Sequence, residues 1–275
     1  MNHEVETMEV SVLSAGARAA TPDDVIVEAP LELRVDGEPL AVLMRTPGDD
    51  RALCAGFLLT EGVIELAEDL ESLGPCTDPN RPNAHNTYLA LLAPGGPERS
   101  ARVRAAQRDF YAASSCGICG KATIESIHQR IRPHKTFHAL TPALIEGLGE
   151  RARQAQPAFT RTGGCHGAVA YALSDGETVL ASAEDVGRHN AVDKVIGDLL
   201  LQDKAPVEGA LLWISGRASF EVVQKALVGG FQALVCVGAP TSLAVEMAQA
   251  SRLTLVGFAT RSGRYNLYAG AFKGE

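Results

Sequence analysis

Ala210-Leu-Leu-Trp-Ile214-Ser-Gly-Arg-Ala-Ser219-Phe220-Glu-Val-Val-Gln-Lys-Ala-Leu-Val228 is the stretch whose reading decides the fold. Ala210–Ile214 is a short apolar run, the pattern of a buried strand. Phe220–Val228 carries helical spacing, and small polar residues separate the two. The alternation continues downstream, where Ala233–Val237 predicts a strand, Leu243–Ala250 a helix and Leu253–Phe258 another strand. Upstream, Ala168–Leu173 and Thr178–Ser182 predict strands joined at Ser174-Asp-Gly-Glu177, and Asn190–Leu201 predicts a helix. Strands alternating with helices point to an α/β fold with a largely parallel sheet covered on both faces. Ligands of such sheets gather at the carboxyl ends of strands.

Towards the N-terminus the pattern changes. Leu31, Leu33 and Val35 alternate with polar residues, Asp36-Gly37 supplies a turn, and Leu40, Val42 and Met44 alternate again, which predicts a hairpin. Asp49-Asp50 opens a helix carrying Leu53, Phe57 and Leu58, with Gly62 where it ends. Gly74–Asn86 reads as loop and His85–Ala93 as a strand closed by Pro94-Gly-Gly-Pro97. Ile124, Ile127 and Ile131 predict a helix that Pro133 ends. The organisation expected is a loosely ordered lead-in over 1–24, a smaller β-rich α+β N-terminal domain over 25–110, a mobile segment over 111–122 and an α/β domain over 123–275.

The chain has 275 residues, 46% of them hydrophobic and 21% charged, enough for a sizeable core. Its net charge of −8 gives no general attraction to nucleic acid or anionic membranes. No apolar run approaches bilayer length, and Glu4, Glu6 and Glu9 are unlike a secretory leader. The six cysteines are then expected to be reduced, in a cytoplasmic protein.

Ser114-Ser-Cys116-Gly-Ile-Cys119-Gly-Lys121 is the strongest local feature. A Cys-x-x-Cys pair serves as a redox dithiol, half a zinc site, a nucleophilic thiol or simply a structural pair. The helix predicted to start near Lys121, and the lysine itself, favour thiolate. Cys165-His166 would complete a zinc set, although adjacent residues point in different directions. Four further loops hold glycine, serine and arginine beside strand or helix ends: Thr162–Gly167, Glu184–Asn190, Ser215–Ser219 and Arg261–Arg264. In an acidic chain, Arg188, Arg217, Arg261 and Arg264 gathered at one sheet end point to a large polyanionic ligand. His189 is a candidate acid, base, ligand donor or helix cap. Glu184 and Asp185 are candidates to contact a base or ribose, or to cap the following helix.

Together, Cys116-Gly-Ile-Cys119-Gly, Thr162-Gly-Gly with His166, Glu184-Asp-Val-Gly-Arg-His-Asn-Ala-Val-Asp-Lys194, Ser215-Gly-Arg-Ala-Ser-Phe-Glu-Val-Val-Gln-Lys225 and Leu253–Phe258 resemble the formate dehydrogenase accessory sulfurtransferases, the FdhD family, from about Val25 onward. The resemblance implies a C-terminal three-layer αβα domain similar to cytidine deaminase, and a homodimer. It implies that a cysteine desulfurase passes sulfur to Cys116 as a persulfide, with Cys119 auxiliary. The sulfur then goes to molybdenum bis(molybdopterin guanine dinucleotide), a bound substrate rather than a permanent cofactor, destined for formate dehydrogenase. The cofactor-binding stretch implied is Phe258, Ala259, Thr260, Arg261, Ser262 and Gly263 with Arg264 beside it, and Ser215, Arg217, Arg188 and His189 join it from the neighbouring loops. No metal site is expected. A zinc nucleoside deaminase would need a His-x-Glu or Cys-x-Glu that the sequence lacks. A non-enzymatic chaperone that only shields the cofactor is the alternative reading.

Overall fold

The computed structural model describes residues 4–14, 16–95, 102, 103, 106, 133–260 and 264–273. Cys116, Cys119, the helix predicted after them, and Arg261, Ser262 and Gly263 lie outside the described residues.

The chain opens with a hairpin. β1 (Val5–Ser14) and β2 (Ala17–Ile26) pair antiparallel along their whole length. The loosely ordered lead-in expected for residues 1–24 does not hold there. Most side chains on both faces are exposed, so the segment lacks the in–out alternation that reveals a half-buried strand.

β3 (Ala29–Val35) and β4 (Glu38–Arg45) form the predicted second hairpin. Asp36 and Gly37 both take positive φ, as a two-residue turn of this kind requires. Leu33 pairs with Ala41 and Arg34 with Pro39, so Leu40 is an extra residue in β4. The bulge flips the strand: beyond it Ala41 and Leu43 pack on the core, while Val42 and Met44 are exposed. α1 (Asp50–Thr60) is buried along almost its whole length. β5 (Leu70–Pro75) and β6 (Thr87–Leu92) complete a four-stranded sheet in the order β4-β3-β6-β5.

Three short helices follow, α2 (Pro142–Ile145), α3 (Leu148–Gln154) and α4 (Pro157–Thr162). Then come β7 (His166–Ala172), β8 (Val179–Asp185), α5 (Arg188–Leu201), β9 (Ala210–Ile214), α6 (Phe220–Val228), β10 (Ala233–Cys236), α7 (Ser242–Ser251), β11 (Thr254–Gly257) and β12 (Asn266–Ala269). The sheet order is β12-β11-β10-β9-β7-β8. The fold is mixed α/β, and the sheet is not largely parallel. Only β9, β10 and β11 run parallel to one another; β7 is antiparallel to β9 and to β8, and β12 is antiparallel to β11. The connection β7–β8 is a tight turn, which forces antiparallel pairing. One sheet face packs with α5, α6 and α7, and the other with Leu140, Ile145, Leu148 and Ala152 of the segment around α2 and α3.

The two sheets are joined through α1, which lies against α5 at glycines. A Cβ on Gly56 would stand 1.8 Å from the Asp193 carbonyl oxygen, and one on Gly197 would stand 1.8 Å from that of Ala52. Two buried ion pairs flank this crossing. Lys194 Nζ lies 2.9 Å from Asp185 Oδ2 and donates to the carbonyls of Thr46 and Glu184. The other Asp185 oxygen accepts from Gly187 N–H and the Asn190 amide. Lys225 Nζ donates to Asp193, Glu61 and the Thr60 hydroxyl. Burial opposes the Lys225 charge, but Asp193 and Glu61 outweigh it and hold its pKa up. Much of the Glu184–Lys194 and Ser215–Lys225 pattern therefore locks the frame.

Candidate functional site

The loops after β9, β10 and β11 meet at one end of the sheet, and backbone bonds tie them together. Gly238 N–H donates to the Gly216 carbonyl, Phe258 N–H to that of Gly238, and Ala259 N–H to that of Cys236. Gly238 is required at this crossing: its Cβ would lie 2.9 Å from Arg217 Cγ and 3.0 Å from the Gly216 oxygen. Phe258 has φ +56 and is 41% exposed, a left-handed conformation that costs a non-glycine residue roughly 1 kcal/mol or more.

Beside these loops lies a cavity of about 590 Å³, the size of a small-molecule site. Arg153, Gln156 and Phe159 wall it from the α3–α4 side, Trp213 from β9, and Ser215, Ala259 and Thr260 from the loops. Arg153 stacks over the Phe159 ring at 4.4 Å, an aromatic and cationic wall. Glu184, at the end of β8, does not cap the helix that follows it. Its carboxylate reaches α4, accepts from Ala158 and Phe159 N–H at 2.8 and 2.7 Å, and takes the Cys165 thiol at 3.3 Å. Burial and Glu184 push the Cys165 thiol up to about 12. Burial likewise pushes Cys236 up to about 12 and raises Cys54. None of these three is a ready nucleophile.

The start of α5 faces the same sheet end. Gly187 caps it with no side-chain bond, and Arg188 is the first helical residue. The Arg188 Nε–H is buried with no partner among the described residues. A Cβ on Gly216 would touch both Arg188 Cδ at 3.5 Å and His166 Nδ1 at 3.6 Å, so the arginine, the imidazole and the β9 loop converge. His166 and the Gly167 N–H both contact Ser215 Oγ, at 3.3 and 3.0 Å. Burial, and next Arg188, lower the pKa of His166. The N-terminus of α5 and the Arg188 guanidinium give this end of the sheet a positive potential that suits anionic oxygens.

Of the residues picked from sequence, Ser215, Ala259 and Thr260 line the cavity and Arg188 adjoins it through His166. Arg217, Phe258 and Arg264 are exposed near the loops. His189 turns towards α6, with Nε2 3.3 Å from Ser219 Oγ and 3.2 Å from Glu221. Trp213, Phe159, Gln156 and Arg153 escaped the sequence reading. Trp213 reads as core in an apolar run, and the α3–α4 segment carries no motif. Among the described residues no group of three or more His, Cys, Asp or Glu side chains is placed to hold a metal, and no helix is long and apolar enough to cross a membrane.

His189 sets a pH dependence. Burial, then Arg188 and Lys225, lower its pKa from 6.5 to about 3. Between these values the unfolded chain binds the proton and the folded chain does not. Stability therefore falls as pH drops from about 6.5 towards 3, and His166 adds to the same slope. Urea midpoints of His189→Gln should fall less between about pH 6.5 and 4.5 than those of the wild type. Parallel slopes would contradict the assignment.

The geometry defines a mixed α/β protein with an aromatic, cation-bearing cavity at the carboxyl ends of its central parallel strands. Residues 26–273 match the FdhD/NarQ family, and the chain belongs to that family. It is 42% identical over 274 residues to the sulfur carrier protein FdhD of Streptomyces coelicolor, covering 98% of this chain and 96% of that protein. It is 42% identical over 278 residues to the sulfur carrier protein FdhD of Mycobacterium tuberculosis, covering 98% and 99%. Its fold is similar to a crystal structure from Desulfotalea psychrophila, described as a formate dehydrogenase accessory protein, with a TM-score of 0.75 at 23% identity over 98% of both chains.

Proposed function

We propose that this chain is a cytoplasmic sulfur carrier for formate dehydrogenase maturation, in which Cys116 accepts sulfane sulfur from a cysteine desulfurase and passes it to molybdenum bis(molybdopterin guanine dinucleotide). The family membership and the names of the curated relatives support the carrier role. The observation that carries the cofactor reading is the cavity beside the β9 and β11 loops, with the N-terminus of α5 and the unpartnered Arg188 donor nearby. A guanine dinucleotide offers a flat ring for such a cavity and phosphates for such a helix end. Ser215, Arg217, Arg188, His189 and the Phe258–Gly263 stretch with Arg264 are its proposed contacts. The strand order β8-β7-β9-β10-β11, helix-covered on both faces, supports reading this half as a cytidine-deaminase-like domain. The functional unit proposed is a homodimer.

In the transfer, the Cys116 thiolate attacks the outer sulfur of the donor persulfide. The donor's inner sulfur leaves as a thiolate, and Cys116 holds a persulfide. When the terminal sulfane sulfur passes on, the electron pair of the S–S bond stays with Cys116 as its thiolate, and the acceptor supplies the two electrons that would make the delivered sulfur a sulfide ligand. Cys119 is proposed as auxiliary to this exchange. The three buried thiols with raised pKa leave this chemistry to other cysteines of the chain. Cells carrying Cys116→Ala should make formate dehydrogenase with at most a few per cent of wild-type activity, while the purified variant still co-purifies with the cofactor. Full client activity with Cys116→Ala would overturn the carrier reading and favour a cofactor chaperone.

A further inference from the structure

The β1–β2 ribbon carries an apolar stripe with nothing packed over it among the described residues. Its register sets Glu6 opposite Val25, Met8 opposite Asp23, Val10 opposite Thr21 and Val12 opposite Ala19. Facing residues and alternate residues share a side of the ribbon, so Met8, Val10, Val12, Ala19 and Val25 form one stripe, with Glu6 and Asp23 at its root. Met8, Val12 and Val25 are 48%, 43% and 38% exposed. The other side carries Asp24 and Ile26, and these two hold the ribbon to the body. Arg161 Nη2 donates to Asp24 Oδ2 at 2.8 Å, and a Cβ on Gly164 would stand 2.9 Å from Ile26 Cγ2. The apolar stripe is therefore the side turned away from the body. A two-stranded ribbon is marginal on its own, and a contiguous apolar stripe on it marks a surface for a partner.

Position and charge identify the partner. The ribbon is rooted on the wall of the cavity: Gly164, under Ile26, lines it, and Arg161 lies on α4 between the lining residues Phe159 and Gly163. A protein seated on the stripe stands beside the cavity. The ribbon is also acidic. Val5–Ile26 holds Glu6, Glu9, Asp23 and Asp24 against Arg18 alone, and Glu6, Glu9 and Asp23 are exposed. A second copy would bring the same carboxylates to the contact and be repelled, whereas a basic surface is complementary. Resting on the function proposed above, the cargo is a polyphosphate anion, and an enzyme that takes up such an anion needs a positive entrance. We propose that the outward face of the β1–β2 ribbon is the docking surface for the cofactor-free client enzyme. The client's basic rim meets Glu6, Glu9 and Asp23, and an apolar strip beside that rim covers Met8, Val10 and Val12. The ribbon thereby holds the receiving entrance next to the cavity that carries the cargo.

The test measures binding of the full chain to immobilised cofactor-free formate dehydrogenase, with sulfur loading by a cysteine desulfurase read in parallel by intact mass. Met8→Thr combined with Val12→Thr removes the stripe with a residue that still favours strand, and should weaken binding about tenfold or more. Glu6→Gln, Glu9→Gln and Asp23→Asn together should slow association about tenfold at low salt and much less at high salt. Leu13→Thr, on the other side of the ribbon and 75% exposed, should change binding less than about twofold. Sulfur loading should be unchanged in every variant. Wild-type binding by the stripe and charge variants, or an equal loss in Leu13→Thr, would overturn the docking surface and leave the carrier function standing. Loss of sulfur loading in the stripe variant would overturn it by assigning the ribbon to the sulfur donor. A wild-type dimer that sediments as a monomer in the stripe variant would overturn it by assigning the ribbon to a second copy. No binding by the wild type would overturn it together with the choice of client, while a sulfur adduct in the parallel arm would keep the carrier reading.

Discussion

Gly197→Ala should cost about 3 kcal/mol or more of stability, among the largest single effects in the molecule. The added methyl would stand 1.8 Å from the Ala52 oxygen and 2.6 Å from the Gly56 nitrogen, both backbone atoms of α1. No side chain can rotate out of the way, so α1 and α5 must separate. The separation propagates, because α1 joins the four-stranded sheet to the six-stranded one within a single buried cluster. Alanine is the better helix former, so propensity alone predicts a gain of up to about 1 kcal/mol. Urea unfolding separates the two: a midpoint unchanged or raised in Gly197→Ala would show that α1 and α5 do not cross in backbone contact at Gly197.

Lys194→Met should cost roughly 3–5 kcal/mol. Its side chain and that of Asp185 are 1% and 0% exposed and 2.9 Å apart. Without the ammonium, Asp185 is a buried carboxylate without its cation, and the Thr46 and Glu184 carbonyls lose a donor. The damage reaches the site, since Asp185 also holds Gly187 N–H and Asn190 at the start of α5, where Arg188 begins. Adding Asp185→Asn to Lys194→Met removes the stranded charge and should recover part of the loss. A double variant as unstable as the sum of the two single ones would contradict this coupling.

The central strands and helices are legible in the sequence for a physical reason. Ala210–Ile214 is buried on both faces and Phe220–Val228 over most of its length, so their composition must follow their environment, and the observed bounds coincide with those read from the pattern. Strand direction is different. Nothing in the apolar run of β7 says which way it runs, and only the short turn to β8 hints that the two are antiparallel. β1 and β2 escape notice because most of their side chains are exposed on both faces. Leu40 misleads because one extra residue reverses the alternation beyond it.

The site is legible where glycine and arginine mark loops at strand ends, as at Ser215–Ser219 and Phe258–Arg264. It is hidden where its walls are ordinary residues. Trp213 counts as core by composition, Gln156 is the residue that precedes α4, and Phe159 sits on α4, a helix of six residues too short to show a period. Glu184 is the instructive case. Read locally it caps the next helix, whereas its carboxylate crosses to α4, whose first residues lie 26 and 25 positions earlier.

The central claim is that sulfur travels on Cys116. Incubation with an active cysteine desulfurase and cysteine, followed by intact-mass measurement of the wild type, Cys116→Ala and Cys119→Ala, tests it most directly. The account predicts a reductant-labile sulfur adduct on the wild type that is absent from Cys116→Ala. No adduct on the wild type, with the desulfurase active on another acceptor, or an adduct that persists in Cys116→Ala, would contradict it.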